Sequence, residues 1–260
     1  MGEQAEKKEV VLRLERVRCA YGAEPVLNDV SFEVYRGEMF FIVGDSGSGK
    51  TTLLRVCAGL LTPTFGVVEI RAKKEGVSEV PVSIGFVFQQ QGLISNMTVF
   101  ENVALPLRYH TDLDEETVHQ RVEDALRSAG ALESKRVRPD YLSLGMQRRV
   151  GVARAVVVRP DIIFYDDPIL GLDHMNAAAI AQLIRKTRED YGVTSVVVSH
   201  SLALACALGD RIAVVIKGHI RDIGTPGQLR GSPDEETREF FRSHASLMIQ
   251  GRKYGDTTQG

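Results

Sequence analysis

Gly44-Asp45-Ser46-Gly47-Ser48-Gly49-Lys50-Thr51 follows the apolar run Met39-Phe40-Phe41-Ile42-Val43 and leads into Thr52-Leu53-Leu54-Arg55-Val56-Cys57-Ala58. The order is strand, glycine loop, helix, and the loop matches G-x-x-x-x-G-K-[ST] in full. Glycines let backbone N–H groups curl round an anion, and the helix N-terminus adds the positive end of its dipole. Gly44, Ser46, Gly47, Ser48, Gly49 and Thr52 are thereby predicted to cradle the phosphates of a nucleoside triphosphate. Lys50 is placed to reach the β- and γ-phosphates, and the Thr51 hydroxyl to ligate Mg²⁺.

Outward from this loop, the chain alternates strands and helices. Val10 to Arg18 and Asp29 to Tyr35 alternate apolar and polar residues, as half-buried antiparallel strands do, and Val67 to Arg71 reads as a further strand. Lys73 to Val80 is polar and reads as a turn or surface loop. Ser83 to Phe88 reads as a buried strand. Helical spacing follows over Val99 to Tyr109, Glu115 to Ala129 (capped by Asp112 or Asp114) and Arg148 to Val158. Strands at Ile162 to Tyr165, Thr194 to Ser199 and Arg211 to Ile216 then alternate with helices at Met175 to Tyr191 and Leu202 to Leu208. That alternation predicts an α/β fold with a parallel sheet and crossover helices. The expected organisation is a tail over 1–9, a nucleotide-binding domain over 10–225 with a helical subdomain inserted at about 92–158, and an extension over 226–260 carrying a short amphipathic helix at Glu235 to Ser246.

Composition narrows the partners. The 260 residues are 43% hydrophobic and 25% charged, which is ordinary globular composition. A net charge of -2 offers no basic footprint for nucleic acid. Cys19, Cys57 and Cys206 are dispersed, odd in number and free of C-x-x-C spacing, as in a reducing compartment. Met1 to Val10 is charged rather than apolar, and no run of about 18 apolar residues is present, so a cytosolic chain that docks on a membrane protein is expected.

Further motifs stand in a fixed order. Tyr21 follows the first strand, on the loop after it, and Gln89 closes a later one. Tyr141-Leu142-Ser143-Leu144-Gly145-Met146-Gln147 precedes a basic helix. Ile162-Ile163-Phe164-Tyr165-Asp166-Asp167-Pro168 is an apolar strand ending in two carboxylates, followed by Gly171-Leu172-Asp173, and Val197-Val198-Ser199-His200 ends another strand. As a set these resemble the nucleotide-binding subunits of ABC transporters, over roughly Val10 to Thr225. The resemblance implies a P-loop NTPase core of RecA-like type with an antiparallel β subdomain and an inserted α-helical subdomain. It implies ATP and Mg²⁺ as ligands, and a location on the cytoplasmic face of the inner membrane. Tyr21 would stack on adenine. Gln89 and Asp166 would join Thr51 at Mg²⁺, and Gln89 would also contact the membrane partner. Ser143 and Gly145 would touch the γ-phosphate held by a second subunit, and Asp173 would cross that interface. His200 would hold the γ-phosphate and the attacking water. His110, His119, His174, His219 and His244 lack such context and read as solvated or packed residues.

Two departures from the family pattern bear on catalysis. The family has glutamate after the Mg²⁺-binding aspartate, as the base that polarises water, whereas this chain has Asp167. Its carboxylate is expected to fall about 1 Å short, slowing hydrolysis while ATP binding stays intact. Leu144 replaces a glycine where the backbone would approach a phosphate, so either the loop tolerates it or the contact weakens. One nucleotide-binding domain per chain implies pairing with another ATPase subunit, a homodimer being favoured over a heterodimer with Asp167 in its weak site. Phe88 to Arg108, and Ser143-Leu144-Gly145-Met146-Gln147-Arg148-Arg149, are similar to the ATPases of MCE-domain lipid transporters such as the Mla system. That likeness implies a permease, an MCE-domain protein and phospholipid as cargo. Amino-acid import, lipoprotein release and an ATP-dependent dimerisation switch are the alternatives. A translation factor or chromosome-maintenance ATPase would need a second such domain or a long coiled coil, and neither pattern is in the sequence.

Overall fold

Met39–Val43 (β3) is five consecutive buried apolar residues, the pattern of a strand covered on both faces. In the computed structural model of this protein, which describes residues 8–71, 83–90 and 92–252 (side chains as far as His244), β3 lies inside a six-stranded sheet. Ile84–Val87 (β5), Ile162–Asp166 (β6), Thr194–Ser199 (β7), β3 and Arg211–Ile216 (β8) run parallel in that order, and His219–Gly224 (β9) closes the edge antiparallel. Val43 stands opposite Ser199, and Asp166 opposite Val198. This register brings Gly44, Asp167 and His200 to one end of the sheet, the crevice where open α/β sheets bind ligands.

A second, antiparallel sheet holds Val10–Tyr21 (β1), Glu24–Tyr35 (β2) and Phe65–Ile70 (β4), in the order β2-β1-β4. β1 continues three residues beyond the predicted Arg18, so Tyr21 is the last residue of the strand rather than part of a loop after it. Bulges keep the pairing going: Arg16 and Asp29 both take positive φ, near 49°, where the ladder shifts register. Lys50–Cys57 (α1) and this sheet cover one face of the parallel sheet, burying Leu14, Phe32, Phe40, Leu53 and Phe164 together. Phe32 and Phe40 stack with centroids 5.1 Å apart.

The opposite face is covered by helices. Val99–His110 (α2), Glu115–Ser128 (α3) and Leu144–Val156 (α4) form the helical subdomain, and His174–Tyr191 (α5) and Leu202–Leu208 (α6) are the later crossovers. Thr98 and Glu101 close a capping box on α2, and Asp114, not Asp112, caps α3. α4 starts four residues before the predicted Arg148, because Ser143 is its N-cap. A glycine in the first turn masked that start. The sequence pattern predicts no strand at β9 either. Lys217 and Gly218, with φ near 50° and 78°, make a tight two-residue hairpin turn that the sequence does not advertise. The polar stretch Lys73 to Val80 lies outside the described residues.

Pro226–Arg230 (α7) and Glu235–Arg252 (α8) pack back on β9 and α6, with α8 extending past the predicted Ser246. Phe240 and Phe241 enter the same core as Val103, Leu126 and Ile184. Arg221 pairs with Glu236, and the Ser232 hydroxyl donates to Asp222, which fastens the segment at its start. Phe240 is buried, so Phe240→Ala is expected to lower unfolding free energy by about 3 kcal/mol, to be read from urea denaturation.

Candidate active site

Two glycines of the loop between β3 and α1 stand where a side chain would meet neighbouring backbone. Gly44 has φ near 155°, and a Cβ there would sit 2.1 Å from the Val215 carbonyl oxygen. Gly49 has φ near 98°, with a Cβ 2.9 Å from the Val26 carbonyl oxygen. The unforeseen β8–β9 hairpin supports the loop from behind, since the Gly218 N–H donates to the Ser48 carbonyl at 3.1 Å. Val26, Ser46, Gly47, Gly49, Lys50, Thr51, Thr52 and His200 line a cleft of about 290 Å³. Gly44 and Ser48 are not in this lining. Tyr21 is half-exposed at the end of β1 and is not in this lining, whereas Val26 of β2 is.

Lys50 is buried, and its Nζ donates to the Asp45 carbonyl at 2.7 Å. Burial pulls its ammonium below the ordinary lysine range, against the nearby carboxylates of Asp167, Asp45 and Asp166. At the end of β6, burial raises the Asp166 carboxyl, opposed by the Thr51 hydroxyl, which donates to its Oδ1 at 3.1 Å. Thr51 and Asp166 thus set two hard oxygen donors side by side. Few protein ligands of this kind, leaving room for water and phosphate oxygens, suit Mg²⁺. The described residues hold no larger cluster of His, Cys, Asp or Glu that would favour another metal.

Asp167 sits next along in a left-handed backbone conformation, φ near 44°, with its N–H donating to the Val198 carbonyl at 3.0 Å. Its carboxyl lies 3.5 Å from the Ser199 hydroxyl through Oδ1 and 3.5 Å from His200 Nε2 through Oδ2. These are long contacts, and Oδ2 is buried without a hydrogen bond. Burial pushes this carboxyl up, with His200 as the main opposing influence.

The remaining predicted residues gather elsewhere. Ser143 Oγ accepts from the Met146 N–H at 3.3 Å, capping α4. Asp173 caps α5, accepting from the Asn176 N–H at 2.9 Å. Gly145 stands between them, because a Cβ there would be 2.6 Å from Asn176 Oδ1. This close approach of α5 is a reason for glycine that the sequence alone does not reveal. Leu144 occupies the first turn of α4 without positive φ, and its exposed side chain reaches over Gly171. Ser143, Gly145 and Asp173 do not line the cleft that holds Lys50. Within one chain the two groups of residues stay apart.

Gln89 lies in an exposed bend two residues beyond β5. Beside it a broad groove of about 1030 Å³ runs between the β5 edge and α2, lined by Ile84, Phe86, Phe88, Leu105, Pro106 and Tyr109 among others. Among the described residues no helix is long and apolar enough to cross a membrane. Sequence reasoning missed Val26, which comes from a distant strand, and two arginines of α4, Arg148 and Arg154, whose basic character carried no positional signal.

Known proteins resemble this chain over most of its length. The family model described as "ABC transporter" matches residues 27–170. The chain is 34% identical, over 90% of its length and 97% of the relative's, to "Probable amino-acid ABC transporter ATP-binding protein y4tH" of Sinorhizobium fredii. It is 35% identical, over 92% of its length, to the spermidine/putrescine import ATP-binding protein PotA of Legionella pneumophila, of which it spans 65%. Among solved structures it superposes with a TM-score of 0.73 and 34% identity on the ATP-binding cassette MJ0796 in a dimeric post-hydrolysis state bound to ADP and Pi, covering 82% of this chain and 98% of that one.

Proposed function

Because this chain belongs to the ABC transporter ATPases, which bind ATP and work as dimers on membrane permeases, we propose that it powers the movement of phospholipid between the inner membrane and a periplasmic MCE-domain protein. It would do so as a homodimer on the cytoplasmic face of that membrane. The observation that carries the cargo assignment concerns the groove beside Gln89. Phe88, Gly92, Leu105 and Pro106 of its lining belong to the Phe88 to Arg108 stretch that is similar to MCE-type lipid-transport ATPases. This groove is read as the seat of the permease, so the cargo-specific likeness lies where cargo specificity would be transmitted.

In the reaction, the Lys50 ammonium and the loop N–H groups draw and orient the β- and γ-phosphates. Thr51 and Asp166, with Gln89, would hold Mg²⁺, which supplies charge neutralisation on the phosphates when bound. His200 steadies the γ-phosphate and the attacking water from the cleft wall, and Asp167 polarises that water imperfectly. Tyr21 stacks on adenine at the end of β1. Ser143 and Gly145 face the nucleotide of the partner subunit, and Asp173 crosses the interface, so two nucleotides are held head-to-tail. The separation of these residues from Lys50 within one chain supports that reading.

A second reading, amino-acid import, is favoured by the name of the Sinorhizobium fredii relative. Purifying the tagged chain in mild detergent, with mass spectrometry of its companions, separates the two. A permease with an MCE-domain protein and no second ATPase is the expected result. A permease with a periplasmic amino-acid-binding protein would transfer the cargo assignment to import, and a second ATPase bearing glutamate at the Asp167 position would replace the homodimer.

A further inference from the structure

Helix α4 carries Ser143 at its start, and six residues apart on its body it carries Arg148 and Arg154. Arg148 is 3% exposed. Its Nη1 donates to the Phe88 carbonyl at 3.1 Å, and its Nη2 donates to the Leu170 carbonyl at 3.1 Å. Arg154 Nη1 donates to the Gly92 carbonyl at 2.7 Å. Phe88 and Gly92 bracket Gln89, so both ends of that loop are held by guanidinium groups of a single helix. Leu170 lies in the turn after Asp167, and its own N–H donates to the Asp167 carbonyl at 3.2 Å. One buried cation is therefore two hydrogen bonds away from Asp167 and one from the residue before Gln89.

The chemistry favours such a role. Hydrogen bonds from a charged donor are roughly twice as strong as neutral ones, and the planar fork fixes direction as well as distance. Burying a guanidinium is costly unless it is satisfied. Here two carbonyls satisfy part of Arg148, Nε has no hydrogen bond, and burial pulls its guanidinium below the ordinary arginine range against the partial opposition of the Asp167 and Asp166 carboxyls. A lone structural cation would be more cheaply replaced by an apolar side chain of similar volume.

We propose that Arg148 and Arg154 form a clamp that makes the Gln89 loop and the Asp167–Asp173 turn move with helix α4. In this reading both arginines are positioning residues. When Ser143 is drawn to the nucleotide of the partner subunit, α4 carries the Gln89 loop with it, and Arg148 sets the turn that follows Asp167. The proposal rests on the roles read above for Gln89 and Asp167, and its test separates the clamp from those roles.

The experiment compares wild type with Arg148→Gln, Arg148→Lys and Arg154→Gln, by hydrogen-exchange mass spectrometry of the nucleotide-free protein and by steady-state ATP hydrolysis. In Arg148→Gln, exchange over 88–92 and 168–172 is expected to speed by tenfold or more while 44–51 is unchanged. Its kcat should fall by on the order of 10-fold to 100-fold with the KM for ATP retained within about threefold, since a displacement near 1 Å is enough for that. Lysine keeps the charge without the fork, so Arg148→Lys should recover part of both effects. Arg154→Gln should loosen only the Gly92 end, and these two variants carry the comparison if Arg148→Gln does not fold. Unchanged exchange at both loops would overturn the clamp. So would faster exchange throughout the chain, including 44–51, which would make Arg148 a structural residue only. Faster exchange at the two loops with unaltered turnover would keep the clamp and sink the roles assigned to Gln89 and Asp167.

Discussion

Lys50→Met is expected to reduce ATP hydrolysis by on the order of 10²-fold to 10³-fold, the cost of removing one preorganised charge from where phosphate charge develops. Methionine approximates the length of the lysine stem, so the slot beneath the loop stays filled while the ammonium is lost. That ammonium sits in a buried position against the Asp45 carbonyl, with Asp166 and Asp167 close enough to stabilise its charge. An incoming phosphate would replace the carbonyl as its partner. Lys50→Arg should fail as well, because a planar fork does not fit a slot shaped for a compact ammonium. Phosphate release by the purified assembly, alongside fluorescent-nucleotide binding, measures both. Hydrolysis within tenfold of wild type in Lys50→Met would mean that the cleft lined by residues 46–52 is not where the reaction occurs.

Asp167→Glu is expected to act in the opposite direction, raising turnover by up to about 10²-fold with little change in ATP affinity. A general base must come within roughly 2.6–3.2 Å of the proton it takes, or act through one water. The Asp167 carboxyl instead rests 3.5 Å from both the Ser199 hydroxyl and His200, and one of its oxygens is buried without a hydrogen bond. It is buried beside His200, which lines the cleft space in front of Lys50, whereas Asp167 itself does not. A glutamate on the same backbone would extend past Ser199 and His200 into that space. Single-turnover and steady-state hydrolysis of the two proteins give the result directly. Equal rates would transfer the base to another group, with His200 next in position, and would remove Asp167 as a reason to expect slow hydrolysis.

The legible parts of this protein are those coded by contiguous residues. Gly44 to Thr51 announces its loop because the phosphate cradle needs glycine at positions where φ is positive, and the strand and helix beside it are read from uninterrupted apolar runs. The strands at Thr194–Ser199 and Arg211–Ile216 and the helix at Leu202–Leu208 fall where their patterns place them. Errors arise where local propensity and tertiary packing disagree. Gly145 argues against a helix start at Ser143, yet α4 begins there because Ser143 caps it, and the glycine answers instead to the Asn176 side chain of α5, 2.6 Å from where a Cβ would stand. Tyr21 reads as a loop residue because bulges break the alternation of β1. The short, mixed sequence of β9 is a strand only because β8 offers it an edge and Lys217-Gly218 turns tightly enough to reach it.

The sequence by itself determined the nucleotide-binding loop, the α/β class and the family, since each depends on a short pattern whose chemistry is local. Only the tertiary structure decided that Val26 and the Gly218 hairpin wall and support the loop, that Asp167 turns toward Ser199 and His200, and that α4 holds the Gln89 loop through Arg148 and Arg154. These contacts join residues tens to more than a hundred positions apart. No periodicity or motif encodes such distances; they follow from the register of a parallel sheet and from helices packed across its face.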